Sequence, residues 1–201
     1  MSVVLSSTDL VLRPWEPGDV DALAALADDE ELRRWTSHRV AGPQDAVRWI
    51  AAQEAGWESR KRLSFAILLT GRAVGHIVLK RSEGETCGEL GYWTGASARG
   101  FGVASRAVQL LTAWAFDTRT GAGLSRLELI HNAANPASCR VAQKTGYSLA
   151  SVLPARAPHE AERHLHVRER EAVPLSWQAE RRGATRTLRS RPWPWSNATR
   201  G

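Results

Sequence analysis

One junction constrains this fold more than any other stretch. A strand-like run over residues 85–93 ends in TGASARGFG, which passes directly into a helical pattern of Val103, Ala107, Leu110, Leu111, Trp114 and Ala115. A strand that hands its chain to a helix must return by a crossover rather than a hairpin. The return is visible as a strand-like run over 124–131, followed by a helix over 136–144 that Gly146 closes at its C-terminus. Strand, helix, strand, helix implies local parallel pairing in an α/β chain.

The segments before the junction read differently. Residues 10–14 alternate as a short strand, and Pro17-Gly18-Asp19 turns the chain into a helix with Asp19 as N-cap and Leu23, Leu26 and Ala27 at helical spacing. A second helix starts near Pro43, with Val47, Ile50 and Ala51 as its apolar stripe, and the linker over 35–42 has no period. Runs over 63–69, 73–80 and 85–93 alternate as strands; the turn Thr70-Gly71-Arg72 makes the first two a hairpin, so an antiparallel meander is expected. Residues 147–153 and 163–173 supply two last strands.

At 201 residues with 43% apolar content the chain can close one substantial core. No run approaches the roughly 20 apolar residues of a membrane span, and the first residues lack a signal-peptide pattern, so a cytoplasmic protein without membrane contact is expected. The net charge of +6 is concentrated in residues 176–201, where six arginines face one glutamate. We therefore divide the chain into a domain over 1–175 and a basic Arg/Trp/Pro-rich tail over 176–201, expected to be extended or disordered, with contact to nucleic acid or the ribosome as its alternative role. Cys87 and Cys139 are far apart with no C-x-x-C partner. His164 and His166 share one face of a strand and read as a solvated or pocket-lining pair, and no metal is expected.

Arg99-Gly100-Phe101-Gly102-Val103-Ala104 sits between strand and helix. Glycines there let successive backbone N–H groups turn toward a phosphate, and the helix N-terminus adds its partial positive charge. By itself such a glycine pair is equally a tight structural turn. A second segment, Asn135-Pro-Ala-Ser138-Cys-Arg-Val-Ala-Gln-Lys144-Thr-Gly146-Tyr147, follows the next strand with Asn135 as a good N-cap and proline in the permitted first helical position.

Together, R-G-F-G-V-A and N-x-x-S-x-x-V-x-x-K-x-G-Y resemble the GNAT acetyltransferase superfamily. The opening L-V-L-R-P-W-x-x-x-D, the hairpin FAILLTGRAVGHIVL and the strand ELGYW are similar to its RimJ/RimL branch, whose members acetylate ribosomal-protein N-termini. The resemblance covers about residues 8–175 and fades over 154–158. It implies a twisted mixed sheet of about seven strands, splayed in the middle, with about four helices. It also implies acetyl-CoA as cosubstrate: Arg99, Gly100, Phe101, Gly102, Val103 and Ala104 around the pyrophosphate, Trp93 and Thr94 pairing with the pantetheine arm, Asn135 near that arm, and Ser138 near the thioester sulfur.

Direct attack by an amine needs a neutral nucleophile, a stabilised carbonyl oxygen and a protonated leaving sulfur. Ser138 is the candidate proton donor, with a plain helix-start serine as its structural reading. Glu89 is the candidate base, acting through water, because alternation puts it on one strand face with Gly91 and Trp93. Glu128 is the second candidate, and Tyr147 reads as a core aromatic. Trp15, Trp35, Trp49 and Trp57 can line an acceptor pocket or pack the core, and His164 or His166 can face the acceptor. The expected acceptor is a protein or peptide N-terminal α-amine. The alternatives are a small amine such as an antibiotic, polyamine or amino acid analogue, or a ribosome- or RNA-binding module with a vestigial transferase core. The chain is expected to be a monomer or homodimer.

Overall fold

Alternation in the first half of the chain produces a meander, and the computed structural model shows it over the described residues 3–36, 40–81, 84–156 and 160–171. The elements in chain order are β1 (Leu5–Ser7), β2 (Leu10–Pro14), α1 (Val20–Ala27), α2 (Glu30–Trp35), α3 (Pro43–Glu58), β3 (Arg62–Leu69), β4 (Arg72–Arg81) and β5 (Cys87–Thr94). They continue as α4 (Val103–Phe116), β6 (Arg126–Asn132), α5 (Pro136–Lys144), β7 (Ser148–Leu153) and β8 (Arg163–Glu169). The sheet order is β1-β2-β3-β4-β5-β6-β8-β7. Every pairing is antiparallel except β5 with β6, where α4 forms the crossover.

The Thr70-Gly71 turn between β3 and β4 has both residues at positive φ, 48° and 81°, the primed geometry that matches strand twist. Helix α5 runs over the expected span and closes as expected: the Gly146 N–H bonds the Gln143 carbonyl and the Tyr147 N–H bonds the Ala142 carbonyl.

Two apolar layers flank the sheet. On one face Val103, Ala107, Val108, Leu111 and Ala115 of α4 pack on Phe65, Ile67, Ile77, Leu79 and Leu90. On the other, Trp15, Leu23 of α1 and Ala46 and Ile50 of α3 pack on Ala66 and Leu68. Burying each Val, Leu, Ile or Phe side chain among them stabilises by about 1.5–3 kcal/mol.

Several details depart from the sequence reading. The buried stripe of α3 is Ala46, Ile50 and Gln53, with Val47 and Ala51 exposed, so the helix is rotated from the expected face. Gln53 is retained there because its amide oxygen accepts from the Ser64 hydroxyl at 2.7 Å and from Arg62 Nε at 3.2 Å. Asp19 occupies the N-cap position of α1, but its carboxylate binds the Arg13 guanidinium through two contacts of 2.7 and 2.8 Å and accepts the Glu16 N–H at 2.9 Å. Helix α2 arises within six residues, too short for a period, and is set by Asp29, whose carboxylate accepts the Leu32 N–H. The last strand ends at Glu169 rather than 173. The tail over 176–201 lies outside the described residues.

The central feature is a parting of strands. β5 and β6 are paired only where Cys87–Leu90 meets Arg126–Leu129. Beyond that point β5 stays on β4 through Thr94, while β6 stays on β8 through Asn132. The sheet therefore opens as a V between two strands that each keep one partner.

Candidate active site

A cleft of about 530 Å³ fills the V. Adjacent residues on a strand face opposite ways, yet Glu89, Gly91 and Trp93 line it together with Tyr92, because the parted strands expose both faces and the edge between them. On β5, the backbone edge turned away from β4 has no strand partner past Leu90. An extended polar chain can add to that edge as a strand would.

One end of the cleft is backbone. Gly100 and Gly102 take φ of +82° and +73°, and nothing lies within 4 Å of where a Cβ would project from either. Gly102 is the N-cap of the 14-residue α4, so free N–H groups and the positive helix end face open space. Arg140 and Lys144, one turn apart on α5, line the same cleft and form no ion pair among the described residues. A pyrophosphate with an attached extended arm fits this combination. The Arg99 side chain is engaged elsewhere, bonded to Asp29 at the start of α2.

The other end is side chain. Asn135 caps α5 by accepting the Ser138 N–H at 3.1 Å, which leaves the Ser138 hydroxyl free of that task. The Tyr92 hydroxyl lies beside Ser138, is buried, and forms no hydrogen bond of good geometry. Burial pushes the Tyr92 phenol up to about 12, the nearby Ser138 hydroxyl easing it only slightly, so it is a neutral O–H donor at ordinary pH. Glu89 is held by Lys80 Nζ at 2.6 Å. Glu31, Trp35 and Thr36 of the α2 segment close the wall.

Of the sequence candidates, Glu89, Trp93, Thr94, Arg99, Gly100, Gly102, Val103, Ala104, Asn135 and Ser138 all line the cleft. Phe101 does not: the residue is 76% exposed. Glu128 is outside the lining and bonded to Arg126. Tyr147 is core, as read, its hydroxyl 2.6 Å from Thr112 Oγ1. Trp15 and Trp49 pack the second apolar layer and Trp57 donates to the Ser64 carbonyl at 2.8 Å, so among the four tryptophans weighed only Trp35 reaches the cleft. His164 and His166 are not in the cleft lining, His164 lying against Cys139 of α5, whereas His131 is in the wall. Burial holds the His131 imidazole below its usual pKa, against the pull of the Asn132 carbonyl. Tyr92, His131, Lys80 and Arg140 were missed; strand alternation relative to Leu90 carried the signal for Tyr92 alone.

This geometry coincides with a known domain: the acetyltransferase (GNAT) family model matches residues 9–148. The chain belongs to the GNAT acetyltransferase family. It is thus an acyltransferase of acetyl-CoA. No curated protein matches it significantly in sequence. Among solved structures it is similar to RimL, the ribosomal L7/L12 alpha-N-protein acetyltransferase, at 18% identity and TM-score 0.75, covering 85% of this chain and 96% of that one. It is equally similar to the microcin C7 self-immunity acetyltransferase MccE, solved with acetyl-CoA and AMP, at 17% identity and TM-score 0.75, covering 82% and 94%. The ribosomal-protein-S5-alanine acetyltransferase of Vibrio fischeri aligns at 15% identity and TM-score 0.72, covering 83% and 96%. Among the described residues no helix is long and apolar enough to cross a membrane.

Proposed function

We propose that this GNAT enzyme acetylates an α-amine at a protein or peptide N-terminus, in the manner of the RimJ/RimL branch, by direct attack without a covalent enzyme intermediate. Acetyl-CoA, when bound, supplies a thioester carbonyl open to attack. The β5 edge from Gly91 to Thr94 and the N–H groups at 100–104 hold and orient it. Ser138 is the hydroxyl that hydrogen-bonds and protonates the departing sulfur, with the neutral Tyr92 O–H beside it. Glu89 takes the amine proton through water.

The observation that carries the choice of acceptor is that the cleft carboxylate, Glu89, is already bonded to the Lys80 ammonium. A carboxylate is far less basic than any amine, so the acceptor must give up its proton readily. An α-amine of pKa about 7.7–8.0 costs about 1 kcal/mol to neutralise at pH 7, whereas a lysine amine near 10.4 costs about 4–5 kcal/mol. The site therefore suits the acceptor that loses its proton easily.

The similarity to MccE keeps small amines as the competing reading. One screen separates the two: peptides with different N-terminal residues beside small amines, with thiol release as readout. Turnover of peptides with free but not blocked N-termini supports the proposal. Turnover confined to small amines overturns it.

A further inference from the structure

Beneath the cleft wall, topology gathers four metal-ligating side chains that the sequence keeps apart. β8 is inserted between β6 and β7, so His131 stands opposite His164, and Leu129 opposite His166. α5 lays Cys139 across them: its Sγ is 3.1 Å from His164 Nδ1 and 3.8 Å from His166 Nε2. The three imidazoles have ring centroids 5.2 to 6.0 Å apart, and one donor atom from each of the four residues lies within 4.8 Å of the others.

The hydrogen-bond partners fix which ring nitrogens point inward. His131 Nδ1 sits 2.8 Å from the Asn132 carbonyl and His166 Nδ1 sits 3.3 Å from the Tyr147 carbonyl. A carbonyl only accepts, so both Nδ1 atoms carry the proton and both Nε2 atoms present lone pairs. His131 Nε2 is buried with no hydrogen-bond partner. The single Cys139 S–H can serve one nitrogen, yet the lone pairs of both His131 Nε2 and His166 Nε2 lie in the same 4.8 Å neighbourhood, with His164 Nδ1 adding a third in the tautomer that leaves it unprotonated. This is a surplus of acceptors, which a cation satisfies. Carbonyl-anchored histidines are also the usual outer support of metal ligands.

We propose that His131, Cys139, His164 and His166 form a four-ligand site for a zinc-type divalent ion that pins α5 to the β6–β8 pair. Thiolate with imidazoles is zinc chemistry, and four protein ligands make a closed, structural site. Around one such ion the donors sit about 3.3–3.6 Å apart, given bond lengths of about 2.0–2.1 Å to nitrogen and about 2.3 Å to sulfur in a tetrahedron. Side-chain shifts of about an ångström bring the four to that arrangement. Binding releases the Cys139 proton to solvent as the S–Zn bond forms. Acetyl transfer needs no metal. The ion instead fixes the first turns of α5, where Ser138 precedes Cys139, and the His131 side of the cleft.

The test uses the full untagged chain and Co²⁺ as a spectroscopic probe, with Zn²⁺ competing. We expect saturable binding of one ion, the intense visible bands of tetrahedral cobalt, and a thiolate charge-transfer band that Cys139→Ser abolishes. His164→Asn should weaken binding at least about 10–100-fold, the loss that follows removal of even an outer-shell partner. In the wild-type chain Zn²⁺ should shield Cys139, and not Cys87, from alkylation read by mass spectrometry, which needs no variant to fold. Octahedral spectra, binding unchanged in both variants, or equal alkylation of the two cysteines with and without Zn²⁺ would each overturn the site. None of these readouts involves acetyl-CoA, so the acyl-transfer reading stands or falls separately.

Discussion

The two ends of the cleft are made of different material. The 99–104 end is backbone: glycine conformation, free N–H groups and a helix start. The other end is side chain: Ser138 of α5, His131 of β6 with the cluster behind it, and Tyr92 facing them from β5. Backbone sites depend on local sequence, so they carry a motif that can be read in order. Side-chain sites depend on which strands become neighbours, and here that neighbour is β8, more than thirty residues from β6 and placed out of sequence order.

The sharpest way to break this contrast is Gly102→Asp. A left-handed backbone costs a non-glycine residue roughly 1–2 kcal/mol, and the new carboxylate occupies and repels the phosphate position. Calorimetry should show coenzyme A binding weakened by more than about a hundredfold, with the fold retained by circular dichroism. Tight binding in that variant would mean the 99–104 end is not the phosphate cradle.

Ser138→Ala probes the opposite end. Loss of a donor used mainly in the transition state costs about 2.7–4 kcal/mol, so kcat should fall on the order of a hundredfold while acetyl-CoA binding barely moves. Unchanged turnover with a lowered melting temperature would make Ser138 a helix-start residue only.

A third region separates stability from chemistry. Burial opposes ionisation of Asp19, but the Arg13 guanidinium and the Glu16 N–H outweigh it and hold its carboxyl below the usual value. Its contribution is therefore present above the unfolded value of about 3.9 and is lost as pH falls through the lower folded one. Asp19→Asn should cost about 1.5–3 kcal/mol at pH 7 in denaturant melts and flatten the stability profile on the acid side, since charged hydrogen bonds are of that size. Equal acid sensitivity in the variant would assign the loss to other carboxylates.

The smallest effect is the most diagnostic of backbone construction. Arg99 is bonded to Asp29, and such a partly exposed pair is worth about 0–1 kcal/mol. Arg99→Ala should raise the coenzyme A dissociation constant less than about fivefold. A loss as large as that of Gly102→Asp would show that the guanidinium, not the amides, holds the phosphate.

These differences explain what the sequence could and could not reveal. Meander, crossover and the α5 span followed from alternation, glycines and caps, and the family motifs placed Ser138 and the 99–104 loop in one cleft. β1 and α2 were missed because elements of three and six residues carry no period. The face of α3 was misjudged because Ala46 and Gln53 are weak apolar signals beside Val47. Cys139 and the histidines could not be joined from spacing, since their meeting depends on β8 lying between β6 and β7.

Strand order also sets a timetable for the growing polypeptide. β1 to β5 and α4 can pair and pack as they emerge, each on a neighbour already made. β6 cannot be covered on its outer edge until residues 163–169 have been synthesised, because its partner there is the last strand described. Until then an unpaired strand edge and the apolar underside of α5 stand open to chaperones or to other nascent chains. Among the described residues the wall bearing Ser138 is thus the last to gain all its neighbours, and a chain stopped before β8 would hold the 99–104 turn with that wall still half-built.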